Sequence, residues 1–147
     1  PDGSMDVVYV ARQVFRVVTF QPEMEGRSYP AGEVGFPESI KDADPAQKEA
    51  VLQASRELYR LMDLPFPAIR EEVFNSFTLA HKMGLSFQQE YQLLQLASEK
   101  VRLQFLLDHL NQTAKVLSQL NRTRELIEMN GHFRNFDPLD FRDYKPQ

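Results

Sequence analysis

Two periodicities divide the chain. From Met5 to Phe36 the apolar residues come in short runs or alternate with polar ones, as half-buried strands do. Met5 to Val10 is rich in Val and Tyr. Val14 to Phe20 alternates, which predicts Phe15, Val17 and Thr19 on one face and Val14, Arg16, Val18 and Phe20 on the other. Gln21 to Ser28 is polar and contains Pro22 and Gly26, so it reads as a loop. Tyr29 to Phe36 predicts a third, weaker strand, bent at Gly32 and Gly35. Such a small sheet keeps unprotected edges unless further strands pair with it.

Beyond a linker at Pro37 to Ala43 the period becomes about 3.6. Asp44 suits an N-cap, Pro45 the first helical position and Gln47 the third, a box-like start for a helix to about Met62. Its apolar stripe is Val51, Leu58, Leu61 and Met62. Pro65 and Pro67 break the chain. A second helix is expected over 68–83, burying Val73, Phe74, Phe77 and Ala80 and ending at Gly84. Ser86 with Gln89 forms a capping box for a third helix to about Leu96, and Ser98 with Glu99 opens a fourth.

The fourth helix is long. Leu103, Leu106, Leu110, Thr113, Leu117, Leu120, Arg124 and Ile127 recur at alternating spacings of three and four, a heptad-like seam. From Glu99 to Met129 it would extend about 46 Å, so either its end projects or another chain covers it. Asn130-Gly131 is the expected stop. An aromatic tail follows, with Phe133, Phe136, Phe141 and Tyr144, which would fold back on the core or contact a peptide. The resulting fold class is α+β: about three strands, then a helical unit of about four helices ending in one long one. The β portion is placed at 1–37 and the helical subdomain at 38–147.

Composition narrows the chemistry. The 147 residues include no Cys, which removes disulfides, thiol catalysis and thiolate metal sites. Net charge is −4, against the basic balance that a nucleic-acid module needs. No apolar run reaches the ~20 residues of a membrane span, and no signal-peptide pattern is present, so a cytoplasmic location is expected. No phosphate loop precedes a Gly-Lys-Ser/Thr motif, so ATP hydrolysis is not expected. His81, His109 and His132 fall on different elements and do not make a metal site. Ser76 and Ser86 lie near His81, but Ser86 is explained as a cap, and Ser118 and Lys115 are not spaced as a dyad. The carboxylate pairs Glu71-Glu72 and Asp42/Asp44 sit at helix starts, where they favour the macrodipole. The basic residues of the long helix are nearly matched by Glu99, Asp108, Glu125 and Glu128, a mixed solvated face. No catalytic residue, cofactor or metal is assigned. The chain opens on Pro1-Asp2-Gly3, turn chemistry without an initiator Met, and is expected to be a fragment or processed product whose upstream strand is missing.

Several of these segments carry a resemblance. Asp2-Gly3-Ser4-Met5-Asp6-Val7, followed by Val14-Phe15-Arg16-Val17-Val18, resembles the middle of the N-terminal, substrate-binding domain of Lon proteases. Ala11 and Val14 stand where that family has the Gly and Arg of its Gly-x-x-Arg-Phe motif. Tyr29-Pro30-Ala31-Gly32-Glu33-Val34 is similar to the next family strand. Leu79-Ala80-His81-Lys82-Met83-Gly84-Leu85-Ser86, Gln89 to Leu94, Met129 to Phe133 and Phe136 to Phe141 look like a stand-alone bacterial branch.

The resemblance implies a partial PUA-like β-barrel, of which only the C-terminal half is present. It also implies a non-catalytic role, because in ATP-dependent Lon proteases separate ATPase and Ser–Lys protease domains do the chemistry. The expected function is binding of unfolded or extended polypeptides, with Tyr91, Phe133 and Phe136 as contacting residues. A protease partner and self-association are further expectations. The rivals are an oligomerisation module using the long helix and, against the acidic balance, a PUA-like RNA binder.

Overall fold

The computed structural model describes residues 5–8, 11–69 and 74–134, the last four of these by backbone alone. It is α+β. Among the described residues a two-stranded antiparallel sheet, β1 (Arg16–Gln21) and β2 (Ala31–Gly35), precedes four helices: α1 (Pro45–Leu61), α2 (Ser76–Ala80), α3 (Phe87–Gln95) and α4 (Glu99–Arg134). The sheet is open, and the described part of the expected first strand, residues 5–8, is not in a strand.

Each helix start follows from its capping chemistry. Asp44 Oδ1 accepts from Ala46 N at 2.9 Å, with Pro45 in the first turn of α1. Gln47 does not close a box there. Its Nε2 donates to the Lys100 carbonyl at 3.0 Å and so ties α1 to α4. The end of α1 is a Schellman motif: Leu64 N donates to Tyr59 O and Asp63 N to Arg60 O. Asp63 takes the left-handed position (φ 56°) that a glycine would occupy more easily. Ser86 and Gln89 form the reciprocal box expected for α3.

α2 is shorter than its pattern suggested. Asn75 caps a helix of five residues, with Thr78 completing a second reciprocal box. Phe74 lies outside it yet is buried, and a turn carries the chain on to Gly84 at φ 68°. Val73 and the pair Glu71-Glu72 lie outside the described residues.

α1 and α4 run in the same direction. Gln47 meets Lys100 near both helix starts, and Asn121 Nδ2 donates to the Leu61 carbonyl, 2.9 Å away, at the end of α1. Between these points Val51, Leu52 and Leu58 share one buried cluster with Leu103, Leu106 and Leu110 of the seam. Phe74, Leu79, Ala80, Met83 and Leu93 complete this core. The α1 stripe is rotated from expectation: Ser55 is buried and bonded to Val51 O at 2.7 Å, whereas Met62 is exposed.

Past Asn121 α4 is exposed, with no neighbouring element among the described residues. It continues through Gly131 to Arg134, beyond the expected stop, because one glycine costs only about 1 kcal/mol and the next proline is Pro138. These last 13 residues extend about 20 Å. The seam therefore divides: Leu103, Leu106 and Leu110 are core, Leu117 is half-buried, and Leu120 (60% exposed) and Ile127 (65%) face solvent.

Candidate interaction surface

The β1–β2 ribbon is apolar on one face, and a single irregularity decides which residues form it. Val17 pairs with Val34 but Thr19 pairs with Glu33, so Val18 is an extra residue, a β-bulge. The parity of β1 changes there, and Phe20 joins Val17 and Val34 on one face, opposite the glycine at 32. Arg16, Thr19, Gln21 and Glu33 occupy the other. This corrects the simple alternation, which set Val17 and Phe20 on opposite faces. Val17, Phe20 and Val34 are all exposed, as are Phe15 and Phe36 beside the strands, because neither face packs on the helices.

Gly32 is a required glycine. A Cβ there would lie 2.4 Å from the Thr19 carbonyl oxygen, a backbone atom that cannot swing aside. Gly32→Ala is expected to destabilise the ribbon by about 1–3 kcal/mol. Cross-strand nuclear Overhauser effects between Val17 and Val34 should vanish while the helical unfolding midpoint stays unchanged.

The linker is latched to the start of α4. Ile40 and Ser98 form a parallel bridge, with Ile40 N donating to Ala97 O (3.0 Å) and Glu99 N to Ile40 O (2.9 Å). Ser98 Oγ accepts from Val101 N, the N-cap bond expected of it. Asp42 adds a second cap from across the chain, accepting from Lys100 N at 2.9 Å and Ser98 Oγ at 2.7 Å. Asp42 thus belongs to α4, not to the nearer α1.

Behind this latch lies a buried ion pair. Arg102 is 3% exposed and donates through Nη2 and Nε to Glu99 Oε2 (2.8 and 3.0 Å). It also reaches the Leu96 and Ala97 carbonyls, Ser76 Oγ and Ser39 Oγ, and stacks 4.6 Å from the Phe77 ring centroid. Glu99 accepts from Ser76 N and Oγ. A buried charge needs this degree of satisfaction to be tolerated. One side chain therefore joins the linker, the 96–97 turn and α2 to α4. Ser76, one of the two serines near His81 in sequence, is sealed in the network and bonded to a carboxylate.

The bonds from Lys100 N and Ser98 Oγ hold the Asp42 carboxyl below its ordinary value of 3.8. A depressed carboxylate contributes stability above its unfolded value, and that contribution disappears as the pH falls through the folded one. Wild-type protein is therefore expected to lose stability below about pH 4 more steeply than Asp42→Asn. Urea midpoints measured from pH 7 to pH 3 test this, and parallel profiles would refute it.

Of the sequence-predicted contact residues, Tyr91 is the one whose side chain the structure describes. Tyr91 projects from α3 and is 59% exposed. Phe133 lies on the projecting end of α4, among residues described by backbone alone, and Phe136 lies outside the described residues. His109 is tied into the helical core, its Nε2 3.0 Å from Met83 O and its Nδ1 3.2 Å from Gln89 Nε2, while His81 is exposed. Among the described residues no group of His, Cys, Asp and Glu is arranged to hold a metal, and no helix is long and apolar enough to cross a membrane. A shallow groove beside Tyr59 and Phe66, which meet edge to face at 5.3 Å, is bordered by Arg56 and Arg60. Arg60 is engaged by Glu57 at 2.6 Å, and Arg56 pairs with Glu49 at 3.6 Å and stacks on Phe66, so both cations of the groove are already partnered.

Sequence reasoning pointed to the unprotected edges of the sheet but missed the apolar face that Val17, Phe20 and Val34 share. Its apolar residues were visible, but their common face depends on a bulge that alternation alone does not reveal. Compared with protein-family models, curated proteins and solved structures, the chain matches none.

Proposed function

We propose that this chain is a non-catalytic protein-binding module that receives an extended polypeptide along its β1–β2 ribbon. The observation that carries the reading is the ribbon itself: two strands with an uncovered apolar face and, among the described residues, no third strand on either edge. A strand added to such an edge gains main-chain hydrogen bonds, and its alternate side chains extend the apolar face. Unfolded or damaged proteins present this kind of partner.

The reading agrees with the resemblance to the Lon substrate-binding domain. On it, the ribbon belongs to a PUA-like β-unit, the location is cytoplasmic, and any proteolysis is performed by a protease partner. The arrangement offers a polypeptide hydrogen-bonding edges and apolar contact, and the proposed module performs no bond cleavage.

The test is titration of fluorescein-labelled, reduced and carboxymethylated lactalbumin, followed by anisotropy. Saturable binding is expected, weakened roughly tenfold or more, over 1.4 kcal/mol, by the pair Val17→Lys and Phe20→Lys. Absence of saturable binding overturns the proposal. So does unchanged affinity in the double variant.

The exposure of Leu120 and Ile127 favours a second reading, self-association through the end of α4. Sedimentation across a concentration series decides it, since a strict monomer excludes a stable homodimer.

A further inference from the structure

The two edges of the ribbon are not equivalent. Native edge strands are protected by bulges, which bend the strand, and by charge. β1 has both, with Val18 as the extra residue and Arg16 at its start. β2 has no bulge and no cation, and two of its five residues are glycines. Its outer backbone is therefore guarded by neither a bulge nor a basic side chain.

The side chains of β2 also define what could lie beside it. Val34 and the glycine at 32 share the apolar face with Val17 and Phe20. Glu33 stands on the polar face, and its partner Thr19 offers a hydroxyl and no charge. A third strand would place residues directly opposite these three positions, with alternate side chains on opposite faces. Beside Val34 an aliphatic residue fits. Opposite Glu33 a cation is favoured and an anion repelled. Next to Gly32, where no side chain fills the face, a large aromatic ring can cover the glycine and extend the apolar surface.

Resting on the proposed function, we propose that the partner pairs antiparallel with the outer edge of β2, which no strand among the described residues occupies, and not with that of β1, through a basic residue opposite Glu33 with an aliphatic residue before it and an aromatic one after it. The order follows from antiparallel pairing, in which the partner meets Val34 first and Gly32 last. Antiparallel ladders are also slightly more stable per residue than parallel ones. This is a narrower ligand class than unfolded chains in general: extended segments alternating apolar and polar residues, with lysine or arginine at the centre.

The probe is a labelled nine-residue peptide with isoleucine-lysine-phenylalanine at its centre and threonine on both sides, compared with the same peptide carrying glutamate for lysine. The lysine peptide is expected to bind about fivefold or more tightly than its partner. In Glu33→Lys the preference should reverse. Amide exchange in the saturated complex should slow within residues 31–35 and not within 16–21. Protection confined to β1, or equal affinity for the two peptides, overturns the edge and charge assignment while leaving polypeptide binding standing. The same follows if unfolded lactalbumin binds and neither peptide does. If no probe binds, both this inference and the function it rests on fall together.

Discussion

Replacing Arg102 by methionine is expected to lower the unfolding free energy by about 3–5 kcal/mol, the largest effect of any single polar change in this protein. The cost arises from what remains. Glu99, 7% exposed, would keep its charge in the interior with only Ser76 to answer it, the Leu96 carbonyl would lose the guanidinium that it accepts from, and the Ala97 carbonyl would keep only Ile40 N. Removing both charges, as Arg102→Met with Glu99→Met, should recover part of the loss, because a buried pair replaced by apolar groups is often close to neutral. Urea denaturation followed by circular dichroism at 222 nm measures all three proteins. A loss under about 1 kcal/mol in the single variant would place the pair among solvated surface bridges and refute the account.

The second large effect maps where the core ends. Leu106→Ala should cost about 2–5 kcal/mol, since it opens a cavity between α1 and α4 where the side chain is fully buried. Leu120→Ala and Ile127→Ala, two and three heptad steps along the same helix seam, should each cost no more than about 0.5 kcal/mol. The contrast depends on α1 ending at Leu61, beside Asn121, so that among the described residues no element lies against the seam beyond it. A large, concentration-dependent loss at Ile127 would instead show that a second copy covers the end of α4 in solution.

How much of this was legible differs from element to element. Asp44, Ser86 and Ser98 each cap the helix that their sequence position indicated. Caps and boxes are local bonds within four residues, so sequence carries them almost completely. The seam from Leu103 to Leu117 was equally plain as a spacing. Which half of it is core was not, because burial depends on the length of a different helix. Asp42 shows the same limit, since 58 residues separate it from the amide of Lys100 that it caps. Gln47 resembled a local capping partner and is a long-range one. The length of α2 was overestimated because Phe74 is buried, as its periodicity required, without being helical.

The candidate surface follows the same division. The Val and Phe content of β1, and glycines at 32 and 35 of β2, are sequence facts, and they imply a bent, half-apolar sheet. The common face of Val17, Phe20 and Val34 arises only from the bulge at Val18, which a one-residue change of parity creates and no residue type announces.

The amino-acid sequence by itself determined that strands precede helices, the starts of α1, α3 and α4, and the lack of cysteine and of a phosphate-loop motif, because these depend on neighbouring residues or on composition. Tertiary structure alone decided that Asp42 and Arg102 bind the linker to α4, that α4 outruns α1, and that no element among the described residues covers the ribbon. Those outcomes depend on which distant segments meet, and a buried charge or an exposed strand acquires its meaning only from what lies against it.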